Sequence, residues 1–281
     1  MKIQQLRNAT MLLTLGEHKI LVDPMLSKKG AFPGFKMFGG GRQNNPLVPL
    51  PNDAMEVMEQ ATAVLITHEH PDHIDLPAIA WIQERKLPVW ASSIDAPNLK
   101  KKGLDVTVME EQSLDFPVEV IEGRHGHGVF GWLLGPVSGF YLAHPGEPSV
   151  YLTGDSVMVE NVKEAVTRLK PDVIVAPAGS ANFGLGKDIL FSHEELVELT
   201  QLATGIMVFN HLESLDHCPT TREGLRSLME EKGFGERVRI PMDGELVEFP
   251  VEIATSHAQT KLQTFRKPGF QKWLTAKMAG T

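Results

Sequence analysis

Apolar and polar positions alternate in short runs along the chain. They predict strands at Lys2–Leu6, Thr10–Leu15, Lys19–Val22, Ala63–Thr67, Pro88–Ser92, Asp105–Met109 and Pro117–Glu122. The second half repeats the pattern at Gly139–Ala143, Ser149–Thr153, Asp172–Ala176, Gly205–Asn210, Arg237–Ile240 and Leu246–Phe249. Apolar residues spaced three and four apart predict amphipathic helices at Asp53–Gln60, Leu76–Lys86, Met158–Lys170, His193–Leu202 and Thr221–Lys232. Ser192 with Glu195 three residues later predicts a capping box at a helix start. Two strand-rich halves with helices between them predict a layered α/β sandwich. No Pro- or Ser-rich linker separates the halves, so residues 1–255 read as one domain. Ser27–Pro51, rich in Gly and Pro, is too long and too poor in strand signal to be a plain connection, and such loops commonly carry function.

Charge changes the picture in one place. The chain carries 27 Lys plus Arg against 35 Asp plus Glu, a net charge of −8. Residues 253–281 nevertheless hold Lys261, Arg266, Lys267, Lys272 and Lys277 and no acid. Aromatic residues interleave with these cations, so residues 256–281 read as an extension that docks on the acidic body or on a second subunit. An acidic body argues against a nucleic-acid partner, and no apolar stretch is long enough to span a membrane. A small-molecule substrate is the expected partner, with homo-oligomerisation left open. The lone Cys218 excludes an intrachain disulfide, and the N-terminus lacks a secretory pattern, so a cytoplasmic location is expected.

The informative chemistry is Val64-Leu65-Ile66-Thr67-His68-Glu69-His70-Pro71-Asp72-His73, an apolar strand running into three histidines and an aspartate. Imidazoles and carboxylates are ligands for borderline-soft divalent metals such as zinc. At a strand end the chain turns sharply, so His68 and His70 can face one ion while Asp72 and His73 face another. Core packing has no use for such a group, because each buried ring nitrogen would need its own partner.

HEHPDH after a strand resembles the HxHxDH signature of the metallo-β-lactamase superfamily, which implies a four-layer αββα sandwich. The opening hairpin ending in Leu21-Val22-Asp23-Pro24 is similar to the branch that contains the L-ascorbate-6-phosphate lactonases. The resemblance implies three further metal ligands, in chain order. The strand at Pro117–Glu122 leads to His125, with His127 as the alternative. Ser149–Thr153 leads to Asp155, which could instead be a turn residue capping the following helix. Gly205–Asn210 leads to His211, with His217 as the alternative. On this reading His68, His70 and His125 hold one ion, Asp72, His73 and His211 hold a second, and Asp155 bridges them. Two divalent ions per chain are expected, zinc first, with manganese and iron as alternatives. Cys218 reads as a buried reduced thiol, and His18, His144, His193 and His257 as ordinary surface residues.

Two ions sharing a water lower its pKa from ~15.7 to about 7, which makes hydroxide available at neutral pH. Hydrolysis of a lactone, ester or phosphodiester is therefore expected, with Asp72 as the catalytic residue that orients or accepts a proton. Tyr141 and Tyr151 both fall within predicted strands, leaving no counterpart to the active-site tyrosine of quorum-quenching lactonases. The alternatives are a non-catalytic metal-binding or regulatory protein, usually marked by lost ligands, and a diiron oxidoreductase, which typically has Glu in place of His70 and a flavin domain. Ser27–Pro51 presents Lys28, Lys29 and Lys36 among Phe32 and Phe35, which suits a lid over an anionic substrate with an apolar portion.

Overall fold

The computed structural model describes residues 1–110, 114–184 and 186–253; the C-terminal extension expected at 256–281 lies outside the described residues. In the first sheet, β1 (Lys2–Arg7), β2 (Thr10–Leu15) and β3 (His18–Val22) form an antiparallel meander. Then β4 (Ala63–Ile66), β5 (Val89–Ala91) and β6 (Val106–Val108) join in parallel, with α1 (Ala54–Met58), α2 (Leu76–Arg85) and α3 (Ala96–Lys101) preceding them in turn.

The second sheet begins with β7 (Val118–Arg124), followed by α4 (Gly128–Leu134), β8 (Pro136–Leu142) and β9 (Val150–Leu152), paired antiparallel in that order. After α5 (Glu160–Leu169), β10 (Val173–Pro177), α6 (His193–Leu202), β11 (Ile206–Asn210), α7 (Arg222–Glu231) and β12 (Val238–Arg239) continue it in parallel. β13 (Leu246–Glu248) returns to the first sheet and pairs antiparallel with β1.

Period-two alternation sorts the side chains into layers. Leu13, Ile20 and Leu65 of the first sheet meet Phe140, Leu152 and Val175 of the second in one core between the sheets. The neighbours of these residues point the other way. Leu12, Leu21, Val64 and Ile66 pack against α1, α2 and α3, while Tyr141, Tyr151, Ile174 and Phe209 pack against α5, α6 and α7. The result is the expected αββα sandwich. Strands covered on both faces must be apolar at consecutive positions, which is why β4 reads Ala-Val-Leu-Ile without a break.

The predicted strands are all present, with ends shifted by a few residues at most. Two helices had no signal in the pattern. α3 is only six residues with Pro97 in its first turn, and α4, Gly-Val-Phe-Gly-Trp-Leu-Leu, has two glycines and no polar face. Ser192 and Glu195 form the expected reciprocal capping box of α6. No described helix is long and apolar enough to cross a membrane.

Because β7, β9, β10 and β11 run in the same direction, their carboxyl ends share one end of the second sheet. His125, Asp155 and His211 follow β7, β9 and β11 at that end, and His68 follows β4 across the sandwich.

Candidate metal centre

The chain leaves β4 at Ile66 and turns at once, because the His73 and Ile74 amides both donate to the His70 carbonyl at 2.9 Å. Pro71 and Asp72 occupy the central positions of that turn, where Pro pre-sets φ and Asp is favoured. Asp23, at the end of β3, holds the turn in place. Its Oδ1 accepts from the Thr67 amide at 2.8 Å, and its Oδ2 accepts from Thr67 Oγ1 at 2.7 Å and from His73 Nδ1 at 2.9 Å.

These bonds set the ring tautomers. A carboxylate can only accept, so His73 carries its hydrogen on Nδ1 and presents the Nε2 lone pair. Thr67 Oγ1 spends its hydrogen on Asp23 and so accepts from His68 Nδ1 at 3.1 Å, which leaves the His68 lone pair on Nε2, 3.1 Å from His70 Nδ1. His125 Nδ1 donates to the Ile189 carbonyl at 2.9 Å, which frees its Nε2. Polar partners that orient an imidazole in this way are typical of metal-binding histidines.

The side chains converge in two groups, His68, His70 and His125 in one, and Asp72, His73, Asp155 and His211 in the other, with donor atoms inside each group within 4.8 Å of one another. Asp155 Oδ2 lies 3.0 Å from His73 Nε2 and 3.4 Å from His211 Nε2 in its own group, and 3.6 Å from His125 Nε2 and 3.9 Å from His68 Nε2 in the other. It stands between the groups. His73 Nε2 is buried and, despite that 3.0 Å approach, makes no aligned hydrogen bond. A buried donor atom aimed among carboxylate oxygens without a hydrogen bond fits a cation, and the donor set of five imidazoles and two carboxylates fits zinc, manganese or iron.

The electrostatics agree. Burial holds the His68 imidazole well below its ordinary value and His125 down to about 4, so both are neutral, the form that binds metal. Burial opposes charge on His73 too, but Asp155, Asp23 and Asp72 outweigh it and raise the ring to about 10, so with no cation beside it Nε2 holds a second proton, the one a metal ion would displace to reach the lone pair. Burial likewise works against charged Asp72 and Asp155, yet His73 and His211 keep both carboxyls below the ordinary range. This half of the centre is a carboxylate field that calls for positive charge.

One consequence is measurable. Unfolded, His125 takes up a proton near 6.5; folded, it refuses one until about 4. Its contribution to stability is complete above pH 6.5 and is lost as pH falls towards 4. Thermal unfolding followed over that range should therefore show a smaller acid loss in His125→Gln than in the unsubstituted protein.

Backbone geometry serves the same end. Asp23 and His211 sit at φ +46° and +58°, and non-glycine residues are costly there unless their surroundings hold them. For His211 the hold is Asn8, whose carbonyl accepts the His211 amide at 3.0 Å while its side chain donates to the Asp72 carbonyl at 3.2 Å. Gly154 turns the chain at φ +62° just before Asp155, where a Cβ would stand 2.8 Å from the Ser138 carbonyl.

His127 and His217 stand outside both groups. His127 is half-exposed and donates to the Glu195 carboxylate at 2.7 Å. His217 is buried edge-on against Phe35, with ring centroids 5.2 Å apart. Cys218 is a buried free thiol, as expected, with Sγ 3.6 Å from His211 Nδ1. Burial would raise this thiol, but His217 and His211 bring it down to about 7. The sequence pattern named Asp23 only as part of the opening hairpin, with no anchoring role, and did not single out the link Asn8; an acid at a strand end and an Asn in a hairpin both read as turn residues.

Over residues 18–212 the chain matches the family described as a β-lactamase superfamily domain. It is 30% identical to UPF0173 protein YddR of Bacillus subtilis over 255 residues, covering 89% of this chain and all of that protein. The chain belongs to the metallo-β-lactamase superfamily, in the UPF0173 group. Other UPF0173 members carry the name metal-dependent hydrolase, among them one from Methylobacterium nodulans at 25% identity. An isothiocyanate hydrolase from Delia radicum gut bacteria superimposes with a TM-score of 0.81 at 31% identity, covering 89% of this chain and 99% of that one. A possible metal-dependent hydrolase from Veillonella parvula gives a TM-score of 0.82 at 28% identity, covering 88% and 99%. This UPF0173 chain is accordingly a metal-dependent hydrolase.

Proposed function

We propose that the centre holds two divalent ions, zinc first with manganese and iron as alternatives, and that the chain hydrolyses a small substrate at an electrophilic carbon. The observation that carries this reading is the position of Asp155 Oδ2, within 3.9 Å of donor nitrogens from both groups. When bound, such a pair of ions supplies Lewis acidity and lowers the pKa of a coordinated water to about 7. Asp72, kept ionised beside His73 and His211, is the residue that would orient an attacking water and accept its proton. His68, His70 and His125 stay neutral and add no charge of their own.

A groove of about 680 Å³ opens beside His70, and Ser27–Pro51 forms one wall through Phe32, Pro33 and Phe35. Ile74, Leu76 and Ile79 also line it. Lys28, Lys29 and Lys36 are not among its lining residues, and the two cations that are there already have partners. Arg42 Nε donates to the Gly34 carbonyl at 2.9 Å, and Lys102 pairs with Glu69. The groove therefore suits an apolar substituent better than a phosphate, which favours a lactone or other ester over a phosphodiester and retains the lactonase-like reading. A second reading, an isothiocyanate, rests on the 31% identity to an isothiocyanate hydrolase over nearly its full length, since that group also offers an electrophilic carbon on an apolar stem.

Turnover by the metal-loaded chain of lactones, esters, phosphodiesters and isothiocyanates with matched apolar groups separates these readings. Fast turnover of the phosphodiester alone would overturn the assignment to carbon. The lid has its own test. The Asp216 carboxylate accepts from the amides of Phe35, Lys36 and Gln43 and from Asn45 Nδ2, all on the loop. Hydrogen bonds to a charged group are worth about 1.5–3 kcal/mol each, so Asp216→Ala is expected to raise KM roughly tenfold or more. Elemental analysis should show its metal content unchanged.

A further inference from the structure

Away from the candidate centre, His18, Asp115 and His144 bring one donor atom each within 4.8 Å of one another. They come from three separate segments. His18 opens β3, at the opposite end from Asp23; Asp115 lies just before β7; and His144 lies just after β8, whose end pairs beside the start of β7. The group therefore links the two sheets at the end of the sandwich remote from Asp155. His18 Nε2 approaches the Asp115 carboxylate at 3.1 Å.

Two features distinguish this group from a chance surface ion pair. The first is that the rings are held. His18 meets Phe116 edge-on at 5.1 Å and tilts against Trp90 at 6.1 Å, while His144 packs on Phe116 at 5.6 Å. His144 Nδ1 can only donate to the Pro145 carbonyl, at 3.0 Å, which leaves Nε2 as its lone-pair nitrogen. The second is that the β2–β3 turn leaves room for His144. Gly16, at φ +59°, has no side chain, and a Cβ there would stand 2.5 Å from His144 Cε1 and 2.6 Å from Nε2.

We propose that His18, Asp115 and His144 form a separate metal site for one divalent transition-metal ion that ties the two sheets together. Two imidazoles and a carboxylate are a recognised donor set for zinc, and three protein ligands leave a fourth position to water. Nitrogen or oxygen ligands at about 2.0–2.1 Å from zinc lie at most about 4.2 Å apart, so the group closes on an ion through small side-chain movements. Asp115 is half-exposed, so an ion can enter from solvent without opening the core.

The test uses the full chain and zinc alone, measured by equilibrium dialysis with elemental analysis. Asp115→Asn removes a charged ligand at the exposed rim. Gly16→Asn keeps every ligand and tolerates the left-handed turn, as Asn8 does at φ +57°, but its Cβ displaces the His144 ring. Each variant is expected to hold one zinc ion fewer per chain than the unsubstituted protein, with hydrolytic activity retained, and to gain less in Tm on adding zinc. Zinc content equal to that of the unsubstituted protein in either folded, active variant would overturn the proposal.

Discussion

Asp155→Ala is expected to strip metal from both groups of donors and to lower kcat/KM by at least about 10³-fold, because on the proposed two-ion reading this one carboxylate would serve both ions. The geometry predicts that neither group keeps its ion alone. Asp155 Oδ2 is the carboxylate oxygen within 3.9 Å of His68 and His125 as well as of His73 and His211. Its loss also removes part of the negative charge that holds His73 and His211 above their ordinary values. Elemental analysis beside steady-state kinetics checks both parts. One ion retained at full occupancy would show that the halves are independent. The fold should survive, since Asp155 sits in the turn after β9 and outside the three large apolar clusters.

Asp72→Asn is expected to separate the proposed proton transfer from assembly. The substitution keeps the shape of the side chain and leaves the backbone carbonyl that accepts from Asn8. It removes the charge and the basicity. A positioned proton acceptor contributes about 10²–10⁴-fold, so kcat is expected to fall by that order while KM moves little. Metal content should fall less than in Asp155→Ala, because Asp72 Oδ2 lies 3.2 Å from His211 and 3.7 Å from His73 and serves one group only. A variant with near-normal kcat would remove Asp72 from the chemistry.

Much of this could be read in advance, for reasons that differ between fold and site. The strands were legible because layers covered on one or both faces impose period two or unbroken apolar runs, as in β4 and β10. Short elements such as α3 and α4 escaped, since six or seven residues hold too few turns for a period to register. His68 to His73 stood out because four donors crowd into six positions. His125 and His127 could not be told apart by spacing; what separates them is Glu195 on α6, which takes His127, and Ile189, which orients His125. The anchoring roles of Asp23 and Asp216 were hidden for the same reason. Their roles depend on partners 44 to 181 residues away, which no local pattern records. The loop aromatics reach the groove as the sequence suggested, whereas the loop lysines do not line it, because alternate residues of an irregular loop face different ways.

The proposed centre has Asp155 between two ions. Anomalous X-ray scattering at the zinc edge, from crystals of protein purified without chelator and supplied with zinc, tests it most directly because it places each ion rather than counting them. Two peaks are expected to flank Asp155 Oδ2, about 3.5–4 Å apart, one among His68, His70 and His125 and the other among Asp72, His73 and His211. A single peak at saturating zinc, or a pair lying on the same side of Asp155, would contradict it.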